Sequence, residues 1–169
     1  MSTTNRKQAI EQRFARWEAR MAKLMGSIFW VPIQGEYGIY AHFLADESFA
    51  FYDSLTSEEV VDFAALVAKP VLFRTDVMGL VHTQRAHKWK RVGSYPIPNA
   101  LQAPGIYCHM SITSRYSDTQ EPVYDYYRSI EGIEDVLITR EECEALEESA
   151  VWHPLHIQER LRKHYNLQN

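Results

Sequence analysis

The segment that decides the fold is residues 26–44, GSIFWVPIQGEYGIYAHFL, which holds three glycines and five aromatic residues. The runs on either side of residues 34–37 (QGEY) are rich in aromatic and β-branched residues, which favour strands. Two such runs separated by a short glycine-bearing segment predict a β-hairpin. The glycines form no G-x-G-x-x-G pattern and no helix follows them directly, so we expect them to turn the chain rather than hold a phosphate.

The segment before the hairpin predicts a helix. Residues 4–24 contain neither proline nor glycine, and a glycine follows at position 26. Apolar residues recur there at alternating spacings of four and three, which is typical of one face of a helix. They are Ile10, Phe14, Trp17, Met21 and Leu24. The rest of this helix is basic, since residues 1–25 carry six Lys or Arg against two Glu.

The segments after the hairpin alternate between strand and helix patterns. Apolar runs predict strands over residues 48–53, 71–78, 89–95, 106–113 and 122–128. Two capping boxes, TSEE at 56–59 and TREE at 139–142, predict the starts of a central helix and of a helix that continues to Ala150. Pro154 suits the first turn of a final helix that extends to Tyr165.

This order of elements predicts the α+β class. We expect a mainly antiparallel sheet flanked by an N-terminal helix, a central helix and two C-terminal helices. The predicted organisation is an amphipathic basic helix over residues 1–25, followed by a single α+β domain over residues 26–169.

Composition excludes several classes of function. The chain has 169 residues, of which 46% are hydrophobic and 24% charged, as in ordinary globular proteins. A net charge of −4 gives no support for nucleic-acid binding. No apolar run approaches the roughly 20 residues that span a bilayer, and the N-terminus lacks the apolar core of a signal peptide. We therefore expect a cytoplasmic protein that binds no membrane, with Cys108 and Cys143 as buried thiols rather than a disulfide or metal pair.

A search for catalytic patterns finds none. The sequence has no H-E-x-x-H and no G-x-S-x-G motif, and adjacent strand residues such as Cys108 and His109 point to opposite faces. We therefore predict no catalytic residue, no cofactor and no metal. The alternative is a composite site for a divalent metal such as zinc, built from distant histidines. Its candidate ligands are His82, His87, His109, His153 and His156.

One strand pattern suggests recognition. Residues 123–128 (VYDYYR) alternate so that Tyr124, Tyr126 and Arg128 share a face. Tyrosine and arginine are enriched at the centres of protein–protein interfaces, although a sheet face covered by a helix would show the same pattern. Outward-facing glutamates of the predicted helix extend this candidate partner-binding surface, or else form a solvated helix face. They are Glu141, Glu144 and Glu148.

Eight segments form a recognisable series along the chain. They are GSIFWVPI at 26–33, YG at 37–38, PVLFR at 70–74, WKRVG at 89–93, EECEALE at 141–147, AVW at 150–152, HIQERL at 156–161 and HY at 164–165. Taken in this order, they resemble the bacterial immunity protein 26 family. The resemblance implies an α+β protein that binds and neutralises a toxin from a polymorphic or contact-dependent system. Some members of the family carry a phosphotriesterase designation for organophosphate hydrolysis.

Three functions follow as expectations. The first is a non-catalytic binding protein, an immunity protein that neutralises a cognate toxin by occlusion. The alternative is a small metal-dependent phosphotriesterase that uses the histidines named above. The third is a scaffold or homo-oligomer, for which the stripe of Phe14, Trp17 and Met21 offers a self-association surface.

Overall fold

The structure is a computed structural model that describes residues 3–57, 62–114, 123–130 and 134–167. The α-helices in this part of the chain are α1 Thr3–Leu24, α2 Phe63–Val67, α3 Leu80–Ala86, α4 Arg140–Glu144 and α5 Pro154–His164. The first strands are β1 Ser27–Gln34, β2 Tyr37–Phe43, β3 Phe49–Tyr52, β4 Val71–Val77 and β5 Lys90–Ser94. The later strands are β6 Ile106–Ser114, β7 Val123–Ile130, β8 Glu134–Ile138, β9 Glu147–Glu148 and β10 Val151–Trp152.

A six-stranded sheet in the order β10-β4-β3-β2-β1-β5 is built around the predicted hairpin. Trp30 of β1 lies opposite Tyr40 of β2, and their ring centroids are 5.1 Å apart. A Cβ atom at Gly38 would lie 2.5 Å from the Trp30 ring, so this close approach requires glycine. Gly35 turns the chain with a φ of +57°. The hairpin and the third strand are therefore confirmed, and the glycines act as turn and contact positions.

The core lies on both faces of this sheet, which explains why β1 is apolar almost throughout. Phe29 and Val31 lie in the larger cluster, which α5 covers with Ile157 and Leu161. Ile28 and Trp30 point to the other face, where a second cluster is completed by a side chain of α2. The two clusters are separated by the alternation of side chains along the strand.

Helix α5 is held to β1 by polar contacts as well as by the core. The Gln158 amide donates a hydrogen bond of 2.7 Å to the carbonyl of Pro32, and Arg162 Nε donates one of 2.9 Å to the carbonyl of Ile33. These contacts fix the C-terminal helix against the end of β1 that leads into the hairpin turn.

A second, four-stranded sheet has the order β8-β7-β6-β9. Strands β6, β7 and β8 form an antiparallel meander, and the two-residue β9 pairs in parallel with β6. The equally short β10 pairs in parallel with β4 of the larger sheet. Residues 147–152 therefore connect the edges of the two sheets.

The class predicted from the sequence, α+β with antiparallel-rich sheets, is confirmed, but several details differ. The strands divide into two sheets rather than one, and β8, β9 and β10 were not predicted. The capping box at Thr139 is present, with Thr139 Oγ1 accepting from the amide of Glu142 and the Glu142 carboxylate accepting from the amide of Thr139. The helix it begins ends at Glu144 rather than at Ala150, because residues 147–148 pair with β6 instead.

The other predicted capping box, at residues 56–59, falls partly outside the described residues. Thr56 exchanges two backbone hydrogen bonds with Gly38, of 2.9 and 3.0 Å. The helix that the structure describes next is α2, and its N-cap is Asp62, whose carboxylate accepts from the amides of Ala64 and Ala65.

The expectation of two free buried thiols is wrong. Cys108 of β6 and Cys143 of α4 form a disulfide, with their Cα atoms 5.1 Å apart. That separation lies within the usual range for a disulfide. No local sequence pattern predicts this disulfide, because the two cysteines are 35 positions apart and pair only when α4 folds back over β6.

Replacing both cysteines by serine is expected to lower the free energy of unfolding by about 2–4 kcal/mol, because the bond closes a long loop of the unfolded chain. The bond itself is checked by alkylating the protein, unfolded without reductant, and measuring its intact mass. We expect no added label before reduction and two after it. Since disulfides persist mainly in oxidising compartments, protein from reducing and oxidising hosts should be compared. Two labels without reduction in both preparations would contradict the pairing.

Candidate functional site

Three of the residues predicted to bind a partner, Tyr124, Tyr126 and Arg128, lie on one face of the four-stranded sheet, which we call the tyrosine face. In the β6–β7 pair, Met110 lies opposite Tyr126 and Cys108 lies opposite Arg128. Because directly opposed residues share a face, Tyr124, Tyr126 and Arg128 point the same way, together with Met110. The alternation predicted for residues 123–128 is therefore present in the structure.

Helix α4 covers part of the tyrosine face. Its Cys143 is bonded to Cys108, which fixes the helix on this side of the sheet. The positive charge of Arg128 helps lower the pKa of Glu142, after the larger effect of hydrogen bonds with Thr139. The covered part is thus the end of the face near Arg128.

The three predicted glutamates have different surroundings. Glu144 forms an exposed ion pair with Arg140 at 2.7 Å, so part of its charge is balanced. Glu141 is exposed on α4 and Glu148 is exposed on β9, opposite Cys108. All three therefore lie beside the tyrosine face, and their carboxylates make its border negatively charged.

Large apolar side chains remain exposed on this face. Ile106, Met110 and Tyr124 are 49, 53 and 41% exposed. Ile106 and Met110 were not among the predicted site residues. Each is two residues from Cys108 in a predicted strand, so the sequence already indicated that the three side chains share a face. On the opposite face of the same sheet, Leu137 is 63% exposed and lies opposite Tyr127.

Three of the five candidate histidines lie next to one another. The rings of His87 and His153 have centroids 5.2 Å apart, and those of His153 and His156 are 5.8 Å apart. His153 Nδ1 accepts a hydrogen bond of 3.3 Å from the amide of Leu155, which makes this histidine the N-cap of α5.

The other two candidate histidines lie elsewhere or are not described. His109 stacks on Tyr127 on the opposite face of the four-stranded sheet, with ring centroids 5.1 Å apart. The side chain of His82 lies outside the described part of the chain. Within that part, no group of three or more His, Cys, Asp or Glu side chains is arranged to hold a metal ion.

Sequence reasoning missed a buried polar cluster around Asp46. Arg74 donates to the Asp46 carboxylate, to Ser48 Oγ at 2.8 Å and to the carbonyl of Ala103 at 2.8 Å. The carboxylate also accepts from the Ser48 hydroxyl at 2.7 Å and from the amide of Gly105 at 3.1 Å. This cluster ties the turn before β3 to β4 and to the segment before β6.

The electrostatics of this cluster follow from its burial. Burial would raise the pKa of Asp46, but the hydrogen bonds from Ser48 and Gly105 and the charge of Arg74 outweigh it and hold that pKa below its usual value. Burial raises the pKa of the neighbouring Asp76, and the negative charge of Asp46 adds to the effect. Tyr107 is also buried here, which raises its pKa to about 12. We interpret the cluster as structural, because Asp46 and Arg74 are paired with each other and also hydrogen-bond to Ser48 and to the backbone of the segment before β6.

Comparison of the chain with known protein families, with curated proteins and with solved structures gave no match in any of the three. The resemblance to the immunity protein 26 family therefore stays a prediction. Among the described residues, no helix combines the length and the apolar character that crossing a bilayer requires.

Proposed function

We propose that the chain is a non-catalytic binding protein of the immunity type, which occludes a toxin with its tyrosine face. The observation that carries the proposal is the exposure of Ile106, Met110 and Tyr124 on the tyrosine face, to which the acidic helix α4 is bonded at Cys108, between the first two of them. Aromatic and methionine side chains are enriched at protein interfaces, and exposed apolar patches rimmed by polar residues mark such interfaces. The order of segments that resembles the immunity protein family supports the same function.

The proposed partner is a basic protein surface. Residues 131–169 carry nine acidic residues against four basic ones, and Glu141, Glu144 and Glu148 lie at the rim of the tyrosine face. Opposite charges across an interface speed association and help exclude wrong partners. A toxin that acts on nucleic acid has such a basic surface, and occlusion of that surface needs no chemistry from the chain itself. In this proposal the chain acts in the cytoplasm, where thiols are kept reduced, so it would have to act there with Cys108 and Cys143 unbonded.

The test is protection of a bacterial host that expresses the toxin domain encoded beside the gene for this chain. The wild-type chain is expected to restore growth and to bind the purified toxin. Met110→Glu places a charge in the middle of the tyrosine face and is expected to weaken binding by more than about tenfold.

The matched control is Leu137→Glu, which makes the same kind of change on the opposite face of the same sheet. It is expected to leave both protection and binding unchanged. Toxin that stays active when saturated with the chain, or that fails to bind at micromolar concentration, would overturn the proposal. If both variants lost toxin binding to the same extent, the tyrosine face would not be the binding interface.

The second candidate function is a small metal-dependent phosphotriesterase. The observation that favours it is the group of His87, His153 and His156, because catalytic zinc is usually held by three protein ligands. A metal would require their nitrogens to approach one point within about 2–2.5 Å, and the described side chains are not arranged in this way.

Metal content and paraoxon turnover decide between the two candidates. Protein purified without a histidine tag is assayed before and after chelation. Stoichiometric metal, with turnover that a chelator abolishes and that His156→Ala removes, would favour the hydrolase. Absence of both metal and turnover would exclude this second candidate.

A further inference from the structure

Helix α1 carries an apolar stripe that the rest of the chain leaves uncovered. Ile10, Phe14 and Trp17 are 47, 62 and 46% exposed. Met21 and Leu24 continue the same stripe, and these two side chains pack against the core. Among the helix side chains that the structure describes, those that pack against the core thus lie near the C-terminal end of this 22-residue helix. An amphipathic helix in water gains most of its stability from burying such a stripe.

The spacing of the stripe is that of a coiled coil. Alternating intervals of four and three average 3.5 residues, which matches the spacing of a and d positions over two heptads. In heptad notation Phe14 and Met21 occupy a positions, and Ile10, Trp17 and Leu24 occupy d positions. The stripe is narrow, as a two-stranded seam requires.

The charges beside the seam identify the partner and its direction. Glu11 and Glu18 occupy e positions, whereas Arg13 and Arg20 occupy g positions. In a parallel pair each g residue faces the e residue of the partner's next heptad, so Arg13 meets the partner's Glu18. In an antiparallel pair g faces g and e faces e, which would place arginine against arginine and glutamate against glutamate.

We infer that α1 forms a parallel, in-register coiled coil with α1 of a second copy of this chain. The seam consists of Ile10, Phe14 and Trp17 from each copy, and the helices diverge at Met21, where each one contacts its own domain. The inference does not rest on the proposed toxin binding, because α1 and the tyrosine face belong to different elements.

An anionic membrane is the other surface that a basic amphipathic helix binds. The structure favours a second copy for two reasons. A membrane-surface helix has a wide apolar face, whereas this stripe occupies two positions in seven. Glu11 and Glu18 also adjoin the stripe, where they would meet anionic headgroups directly.

The first experiment measures molar mass by light scattering as a function of concentration. The wild-type chain is expected to have twice the mass of one chain, and Arg13→Glu is expected to weaken the dimer by at least about tenfold, because it opposes Glu18 of the other copy. Arg13→Glu combined with Glu18→Arg should restore the dimer. Arg16→Glu is the matched control, since it makes the same change in net charge at a position away from the seam.

The second experiment tests the direction of the helices. Ile10→Cys is expected to cross-link two chains under mild oxidation, because equivalent d positions adjoin only in a parallel, in-register pair. Gln12→Cys, on the outer side of the helix, should not cross-link. A monomeric wild-type chain, a dimer that Arg13→Glu strengthens, or binding to phosphatidylserine vesicles without dimerisation would each overturn the inference.

Discussion

Trp89→Ala is expected to lower the free energy of unfolding by about 3–5 kcal/mol, which is the cost of removing a large aromatic side chain from a core. The Trp89 side chain is 2% exposed. It meets Phe49 and Phe51 edge to face, with ring centroids 5.8 and 5.9 Å apart. The alanine would leave a cavity between these rings that the surrounding strands cannot close.

Urea unfolding followed by circular dichroism measures this effect, and Trp89→Phe is the matched variant. The phenyl ring keeps most of the packing, and among the described residues the indole Nε1 has no hydrogen-bond acceptor to lose. We expect Trp89→Phe to cost about 1–2 kcal/mol. If Trp89→Phe lowered the free energy of unfolding as much as Trp89→Ala, packing of the aromatic ring would not be the source of the stability that Trp89 provides.

Arg74→Met is expected to destabilise the fold by about 3–5 kcal/mol at pH 7, because it leaves the Asp46 carboxylate charged and largely buried. The two side chains are only 15 and 12% exposed. The matched control is Arg160→Met, which breaks the Arg160–Glu147 pair. Its side chains are 33 and 32% exposed, so solvent screens the pair and we expect a loss of about 1 kcal/mol.

The pH dependence of this effect follows from Asp46. Its pKa is lowered in the folded protein, so its contribution to stability is present above the ordinary Asp pKa and is lost as the pH falls towards the folded value. The difference between wild type and Arg74→Met should therefore shrink on acidification from pH 7 to about pH 4 and below. A difference that stayed constant over this range would mean that the charge of Asp46 does not cause the loss.

The elements that the sequence predicted correctly are those with a strong local pattern. The spacing of apolar residues predicts the N-terminal helix, and two apolar runs around a turn glycine predict the hairpin of β1 and β2. Each of these patterns lies within a short stretch of the chain. Strand β8 has no comparable pattern, because Glu134 and Asp135 disfavour strands and only Val136 to Ile138 favour one. Its strand conformation comes from pairing with β7.

The features that escaped prediction depend on contacts between distant residues. Asp46 and Arg74 are 28 positions apart, and no local pattern in the sequence indicates that they form a pair. The same holds for Cys108 and Cys143, whose bond requires α4 to lie on the tyrosine face. The shared face of Tyr124, Tyr126 and Arg128 needed no such contact, since strand alternation alone predicts it, and the partner-binding role of these residues stays a prediction.

Residues 147–152 have a consequence for how the protein avoids aggregation. Without them, the seven-residue β4 and the nine-residue β6 would each present an unpaired edge, and such edges recruit strands from other chains. The two-residue strands β9 and β10 cover part of both edges and are themselves too short to offer a template. A chain that ends before residue 147 would therefore leave β4 and β6 as open edges in addition to β5 and β8, which are the outer strands at the other side of each sheet.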